Sequence, residues 1–209
     1  MNDTQTHWEE HYGERERVWS GRVNARLAEV AAELPPGRAL DLGCGEGADA
    51  VWLAERGWDV VAVDISETAL GRAAGEARSR GVADRIAFVQ HDLSDSFPDG
   101  TFDLVSAQYL HSTVRLDRPR ILAHAAEAVP PGGLLLIVDH GEAPPWPSKL
   151  GHVHEFPSAE EVVAGMDLDT DEFDRLRVEA VEREAVGPDG QAFTWRDNLI
   201  LLRRRPESQ

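Results

Sequence analysis

Ala39-Leu40-Asp41-Leu42-Gly43-Cys44-Gly45-Glu46-Gly47-Ala48 is the stretch on which the fold turns. Its first four residues predict a short apolar strand, Gly43 to Gly47 a loop, and the residues from Ala48 to about Glu55 a helix closed by Gly57. Glycines in such a loop can take positive φ and let a ligand lie against the main chain. The helix that follows presents unpaired N–H groups at its start. The next apolar run, Val60-Val61-Ala62-Val63, ends in Asp64, 64 − 43 = 21 positions beyond Gly43. A carboxylate at that distance, closing the second strand, suits hydrogen bonds to the hydroxyls of a ribose.

Outward from this unit the chain alternates helix and strand, the pattern of a parallel α/β sheet. Upstream, Ser20 is a good N-cap, and Val23, Leu27, Val30 and Leu34 recur at helical spacing before Pro35-Pro36-Gly37. Downstream, Ser66 caps a helix that stops near Gly81, and Ile86-Ala87-Phe88-Val89 and Phe102-Asp103-Leu104-Val105 read as the third and fourth strands. Asp117 opens a helix with Pro119 in its first turn, and Leu134–Val138 is the fifth strand. Gly141 to Pro157 is a proline-rich loop, and Ser158 to Glu161 has capping-box spacing. Two strands, about Phe173–Val186 and Gln191–Arg203, are joined at Pro188-Asp189-Gly190 as a hairpin. The hairpin predicts an antiparallel last strand in an otherwise parallel sheet.

The glycines alone do not choose a ligand, because Gly43-x-Gly45-x-x-Ala48 also satisfies a loose dinucleotide fingerprint. A nicotinamide-dependent oxidoreductase is therefore one alternative. Charge separates the two readings. A dinucleotide sets a pyrophosphate against the loop, where Asp41 and Glu46 would repel it. S-adenosylmethionine carries an ammonium and a sulfonium instead, and Asp41 can face the ammonium directly or through water.

At this point the sequence resembles the class I S-adenosylmethionine-dependent methyltransferases. Asp41 to Gly47 match their first motif, an acidic residue followed by Gly-x-Gly-x-Gly, and Asp64 matches the acidic end of their second strand. Asp92, in Gln90-His91-Asp92-Leu93, falls where an acidic residue meets the adenine amino group in that family; a turn cap is the other reading of it. Phe102 to Gln108 correspond to the fourth-strand motif, and Pro131-Gly132-Gly133 to the turn before strand five. The resemblance is strong from Leu34 to Asp139. It implies a Rossmann-like doubly wound sheet of seven strands in the order 3-2-1-4-5-7-6, helices on both faces, and S-adenosylmethionine as cofactor. The cofactor contacts it implies are Trp19, Asp41, Gly43, Gly45, Gly47, Asp64, Ile65, Asp92, Leu93 and Gln108. Trp19-Ser20-Gly21 is similar to an element of the thiopurine and halide/thiol methyltransferases. Phe156-Pro157-Ser158-Ala159-Glu160 with the later hairpin is similar to the tellurite-resistance methyltransferases. All of these act on small acceptors. Trp19 could instead simply anchor an N-terminal helix.

For the acceptor, Tyr109 and His111 follow strand four, and in open α/β sheets ligands sit beyond the carboxyl ends of the strands. His111 is the first candidate for a general base and His140 the second, a base being needed only for a hydroxyl or thiol acceptor. Trp8, Trp19, Tyr109 and Trp146 are candidate apolar walls, and Arg115 a further polar group. Cys44 reads as a small residue that fits the turn, and His140, His152 and His154 as loop residues; no metal is expected.

Composition bounds the partners. The formal net charge of -17 opposes nucleic acid and anionic membrane surfaces. The one cysteine excludes an intrachain disulfide and suits a cytoplasmic protein, as does a first segment without an apolar signal core. With 209 residues the expectation is one domain, monomeric or homodimeric. Its parts are a helical cap over residues 1–36, a cofactor-binding core over 37–140, a substrate-side loop over 141–157, and a helix and hairpin over 158–209. The expected activity is methyl transfer to a small-molecule nucleophile. A non-catalytic adenosylmethionine-binding module is the remaining alternative.

Overall fold

The computed structural model describes residues 2–143, 156–169, 171–186 and 190–206. Its elements run α1 (Asp3–Gly13), α2 (Ala25–Ala31), β1 (Arg38–Leu42), α3 (Ala48–Glu55), β2 (Asp59–Asp64), α4 (Glu67–Ser79), β3 (Ile86–Gln90), β4 (Leu104–Gln108), α5 (Arg118–Glu127), β5 (Leu134–His140), α6 (Ala159–Gly165), β6 (Phe173–Val186) and β7 (Ala192–Arg204). The seven strands form one sheet in the order β3-β2-β1-β4-β5-β7-β6. Strands β1 to β5 pair in parallel, and β7 runs antiparallel to both β5 and β6. Both the expected order and the antiparallel last strand are present.

The sheet is buried on both faces because successive side chains of each strand point to opposite sides. Leu40 and Leu42 of β1, Val105 and Ala107 of β4, and Leu135 and Ile137 of β5 pack on one face with Ile121 and Leu122 of α5 and Val162 of α6. Ala39, Leu104, Leu134 and Leu136 pack on the other with Leu27 of α2 and Val51 and Leu53 of α3. Near-continuous apolar strands are what two-sided burial requires. The helix starts follow their caps. Ser66 accepts a hydrogen bond from the Ala69 amide at the start of α4, and Ser158 and Glu161 form the full capping box of α6.

Three expectations are corrected. Ser20 does not start a helix: Gly21 has φ +70, the chain turns there, and α2 begins at Ala25 after Asn24. The fourth strand starts two residues later than expected and ends three later, at Gln108 rather than Val105. The polar N-terminus holds a helix of its own, α1, capped by Asn2, whose side chain accepts from the Gln5 amide. Trp146, His152, His154, the rest of the proline-rich loop from 144 to 155, and Pro188-Asp189 lie outside the described residues.

Candidate active site

The glycine loop leaves β1 at Leu42 and enters α3 at Ala48, and Gly43, Gly45 and Gly47 all have positive φ, at +69, +52 and +80. At Gly45 the constraint is also steric. A Cβ there would stand 3.0 Å from Tyr12 Oη and 3.1 Å from Trp19 Nε1, because the N-terminal segment lies over the loop. The loop is clamped to the second strand by Asp64, whose Oδ2 accepts from the Gly45 amide at 2.9 Å and whose Oδ1 accepts from the Ser66 amide at 3.0 Å. Burial pushes the Asp64 carboxyl upward, and these amide donors oppose the shift.

Asp41 is fully enclosed under the loop, and its Oδ2 has no hydrogen-bond partner among the described residues. Burial, then the nearby charges of Asp49 and Asp64, hold its carboxyl well above the ordinary range. An enclosed carboxylate oxygen beside two more carboxylates is a place where a cation is favoured and an anion is not. Glu46 needs correction. Its carboxylate is already matched by Arg72 at 2.9 Å and by the amides of Val18 and Trp19, so the charge argument against a pyrophosphate rests on Asp41 and Asp64.

A cleft enclosing about 550 Å³, open mouth included, lies over the carboxyl ends of β1, β2 and β4. From the expected cofactor set, Gly43, Asp64, Ile65, Asp92 and Leu93 line it. Asp92 caps a turn, one oxygen accepting from the Ser94 amide, and it borders the cleft. Gln108 is buried and donates to Ser106 Oγ at 3.0 Å. Trp19 is half-exposed and reaches the glycine loop through Tyr12, to whose hydroxyl it donates at 3.0 Å. It does not border the cleft.

Helix α1 roofs the cleft with Thr4, Trp8 and Tyr12. It is fastened around the rim. Asn2 donates to Asp92 at 2.6 Å, Trp8 Nε1 to Ser112 at 3.3 Å, and Glu9 accepts from the first amides of α4. Arg72 of α4 donates to the carbonyls of Tyr12 and Arg15. Trp8 borders the cleft as expected, whereas Tyr12 was not expected there. The one signal is Trp8 and Tyr12 at a spacing of four, which puts two aromatic rings on one helix face.

The other end of the cleft is bordered by Tyr109, Leu110, His111, Ser112 and Leu116. Tyr109 takes a left-handed backbone with φ 51, a conformation that costs a non-glycine residue about 1 kcal/mol or more and recurs at functional sites. Its hydroxyl donates to Asp197 at 2.9 Å. The rings of His111 and His140 lie nearly parallel, 5.8 Å apart, and His140 stacks on Trp195 at 4.6 Å. His140 Nδ1 stands 3.3 Å from Asp197, which faces it across the β5–β7 pairing. Burial acts to raise Asp197, but hydrogen bonds from His140, Tyr109 and Arg183 outweigh it and hold the carboxyl below its ordinary value. His111 Nε2 lies 3.6 Å from Asp139, whose other oxygen is held by Arg118. His140 does not border the cleft, and Arg115 is exposed away from it. Among the described residues no group of three or more histidine, cysteine or acidic side chains could hold a metal.

A family model described as a methyltransferase domain matches residues 12–168, well over half of the chain. The chain belongs to the methyltransferase domain family. Its cofactor is S-adenosylmethionine, and the buried, unmatched Asp41 oxygen near Asp49 and Asp64 fits that cation. This methyltransferase is 32% identical over 148 residues to thiocyanate methyltransferase 1 of Arabidopsis thaliana, covering 66% of this chain and 65% of that one. It is 31% identical over 187 residues to nocamycin O-methyltransferase of Saccharothrix syringae, covering 88% of this chain and 58% of that one. The chain thus spans less than two thirds of the length of these relatives. A solved structure from work on the conversion of a disulfide bond into a thioacetal group during echinomycin biosynthesis superposes with a TM-score of 0.70. It is 25% identical, with 98% of this chain and 94% of that chain covered. No helix among the described residues is long and apolar enough to cross a membrane.

Proposed function

We propose that this methyltransferase moves the methyl group of S-adenosylmethionine to a small-molecule nucleophile: a thiol, a chalcogen species or a compact metabolite. The observation that carries the reading is the roof. Helix α1 covers the cleft from above with Trp8 and Tyr12, so an acceptor must reach the cofactor beneath a roof of side chains, which suits a compact molecule. The net charge of -17 argues against nucleic acid. Relatives named for thiocyanate and for an O-methylated small molecule support the same class. The reading takes the chain as one domain acting in the cytoplasm.

When bound, the cofactor supplies an already activated methyl group, so the protein's work is alignment and exclusion of water. In this reading Asp41 and the amides of the glycine loop hold the amino-acid end, Asp64 the ribose, and Asp92 with Leu93 the adenine. Trp8 and Tyr12 keep water out. His111 takes a proton where the acceptor has one to lose. His140, engaged by Asp197 and Trp195, holds the wall against which His111 stacks.

The test is transfer of labelled methyl from the cofactor to a panel of thiols, chalcogen anions, phenols, amines, RNA and protein. Turnover of at least one small molecule, with RNA and protein unlabelled, is the expected result. Robust labelling of RNA or protein and of no small molecule contradicts the proposal.

A further inference from the structure

Two histidines stand at the acceptor end, each beside a buried carboxylate, and the two carboxylates are not in the same condition. Asp197 is saturated: Tyr109, Arg183 and His140 all bond to it. Asp139 is half-used. Arg118 holds its Oδ2, while Oδ1 has no hydrogen-bond partner among the described residues, although the side chain is only 3% exposed. That oxygen lies 3.6 Å from His111 Nε2, longer than a hydrogen bond. Contacts of this kind are often long in the free enzyme and tighten when the proton moves. Leaving a carboxylate oxygen enclosed and unpaired is costly, and an imidazolium at Nε2 removes that cost.

We propose that Asp139 is a positioning residue that keeps the proton of His111 on Nε2, leaving Nδ1 as the proton acceptor, so that the substrate is a hydroxyl or thiol that loses a proton on methylation. This rests on the reading of the site as a small-molecule methyltransferase. The balance is simple. The acceptor's oxygen or sulfur gains the methyl carbon as the carbon–sulfonium bond breaks with its electrons kept on sulfur. The acceptor's proton passes to His111 Nδ1, and the resulting imidazolium faces the Asp139 carboxylate. Arg118 fixes that carboxylate from behind. It also opposes the upward push of burial on that carboxyl, which burial still holds above its ordinary value.

The groups around His111 set the sign of the pH effect. Among the described residues, Asp139 and His140 face it from β5, with Arg118 of α5 behind Asp139. Asp64, His91 and Asp92 border the same cleft beyond β2 and β3, Tyr12 borders it from α1, and Tyr109 precedes His111 in the chain. Asp139 is the anion among these closest to the ring, so its removal destabilises the imidazolium. A base acts when neutral, so activity rises with pH through the pKa of His111. The limb should therefore shift to lower pH in Asp139→Asn, while the plateau falls because the tautomer is no longer fixed.

The experiment is nitrogen-detected NMR of histidine-labelled, ligand-free protein, with His111 assigned by its loss in His111→Ala. In the wild type the ring is expected as the Nε2–H tautomer. In Asp139→Asn its pKa should fall by about one unit, which is a tenfold change in proton affinity. The wild-type tautomer is read without Asp139→Asn: an Nδ1–H ring overturns the proposal, as does an unchanged pKa in a folded Asp139→Asn. If no small molecule is methylated, the functional reading fails while the tautomer still reports on the pairing. If small molecules are methylated with an Nδ1–H ring, the pairing fails alone.

Discussion

The two ends of the cleft are built differently. The cofactor end is local in sequence: Asp41 through Gly47, Asp64 and Asp92 come from the ends of the three adjacent strands β1, β2 and β3, each at the end of its strand or in the turn that follows it. The acceptor end is assembled from far apart. Tyr109 and His111 follow β4, Asp139 and His140 end β5, Arg118 belongs to α5, and Asp197 arrives on the antiparallel β7. The cofactor end is also left short of positive charge, with Asp41, Asp49 and Asp64 close together. The acceptor end is neutralised pair by pair, Arg118 against Asp139 and Arg183 against Asp197. In the proposed reading the first end therefore receives the cation, whereas the second fixes the geometry of the rings and moves a proton.

If the ends divide the work in this way, changes at each should separate binding from turnover. The largest effect is expected from His111→Ala. With a hydroxyl or thiol acceptor, steady-state assays should show kcat falling by a factor of about 100 or more. A change of a few-fold at most would mean that the acceptor is already an anion and that the acceptor end only packs.

Next is Asp64→Ala. It removes the charge-assisted hydrogen bonds expected to the ribose, at about 1.5–3 kcal/mol each, and also the clamp on the Gly45 amide. Calorimetry should show adenosylmethionine binding weakened at least tenfold, in a protein whose circular dichroism is unchanged. An unaltered dissociation constant would remove Asp64 from the site.

Glu46→Gln should act more mildly and at the roof alone. It loses the ion pair with Arg72 and weakens the hold on Val18 and Trp19, an effect of about 1–2 kcal/mol on the attachment of the N-terminal segment. Hydrogen exchange of α1 should quicken while that of β1 and β4 stays as it was.

The smallest effect is in acid. Burial acts to raise Glu46 and Glu9, but amide donors, with Arg72 at Glu46 and hydroxyl donors at Glu9, hold both carboxyls below their ordinary values in the folded protein. Groups lowered in this way add stability above their unfolded pKa of about 4.3 and lose it as the pH falls through the folded value. Tryptophan fluorescence should therefore report loosening of the segment bearing Trp8 and Trp19 on acidification below about pH 4.3, before the sheet unfolds.

The same contrast explains what could be read from the sequence. Strand periods and the glycine loop are short-range signals, and with the family resemblance they yield the sheet order and the residues bordering the cofactor end. Glu46 misled because spacing gives no direction: it lies in the loop, yet its carboxylate meets Arg72, 26 positions away on α4. Within the expected helical cap the bounds of helix α1 were not legible, because it buries only Tyr12 and has no apolar stripe to show. At the acceptor end His111 and His140 were legible as histidines after strands. Their carboxylate partners were not, since Asp197 meets His140 only through the register of an antiparallel pair.

The division of labour is tested most directly by the affinity of His111→Ala for S-adenosylmethionine, measured by calorimetric titration beside the wild type. The account predicts a single saturable site whose dissociation constant stays within about twofold of the wild type, an energy difference under about 0.4 kcal/mol, even as turnover collapses. A loss of affinity of tenfold or more would contradict it, because His111 would then belong to the end that holds the cofactor.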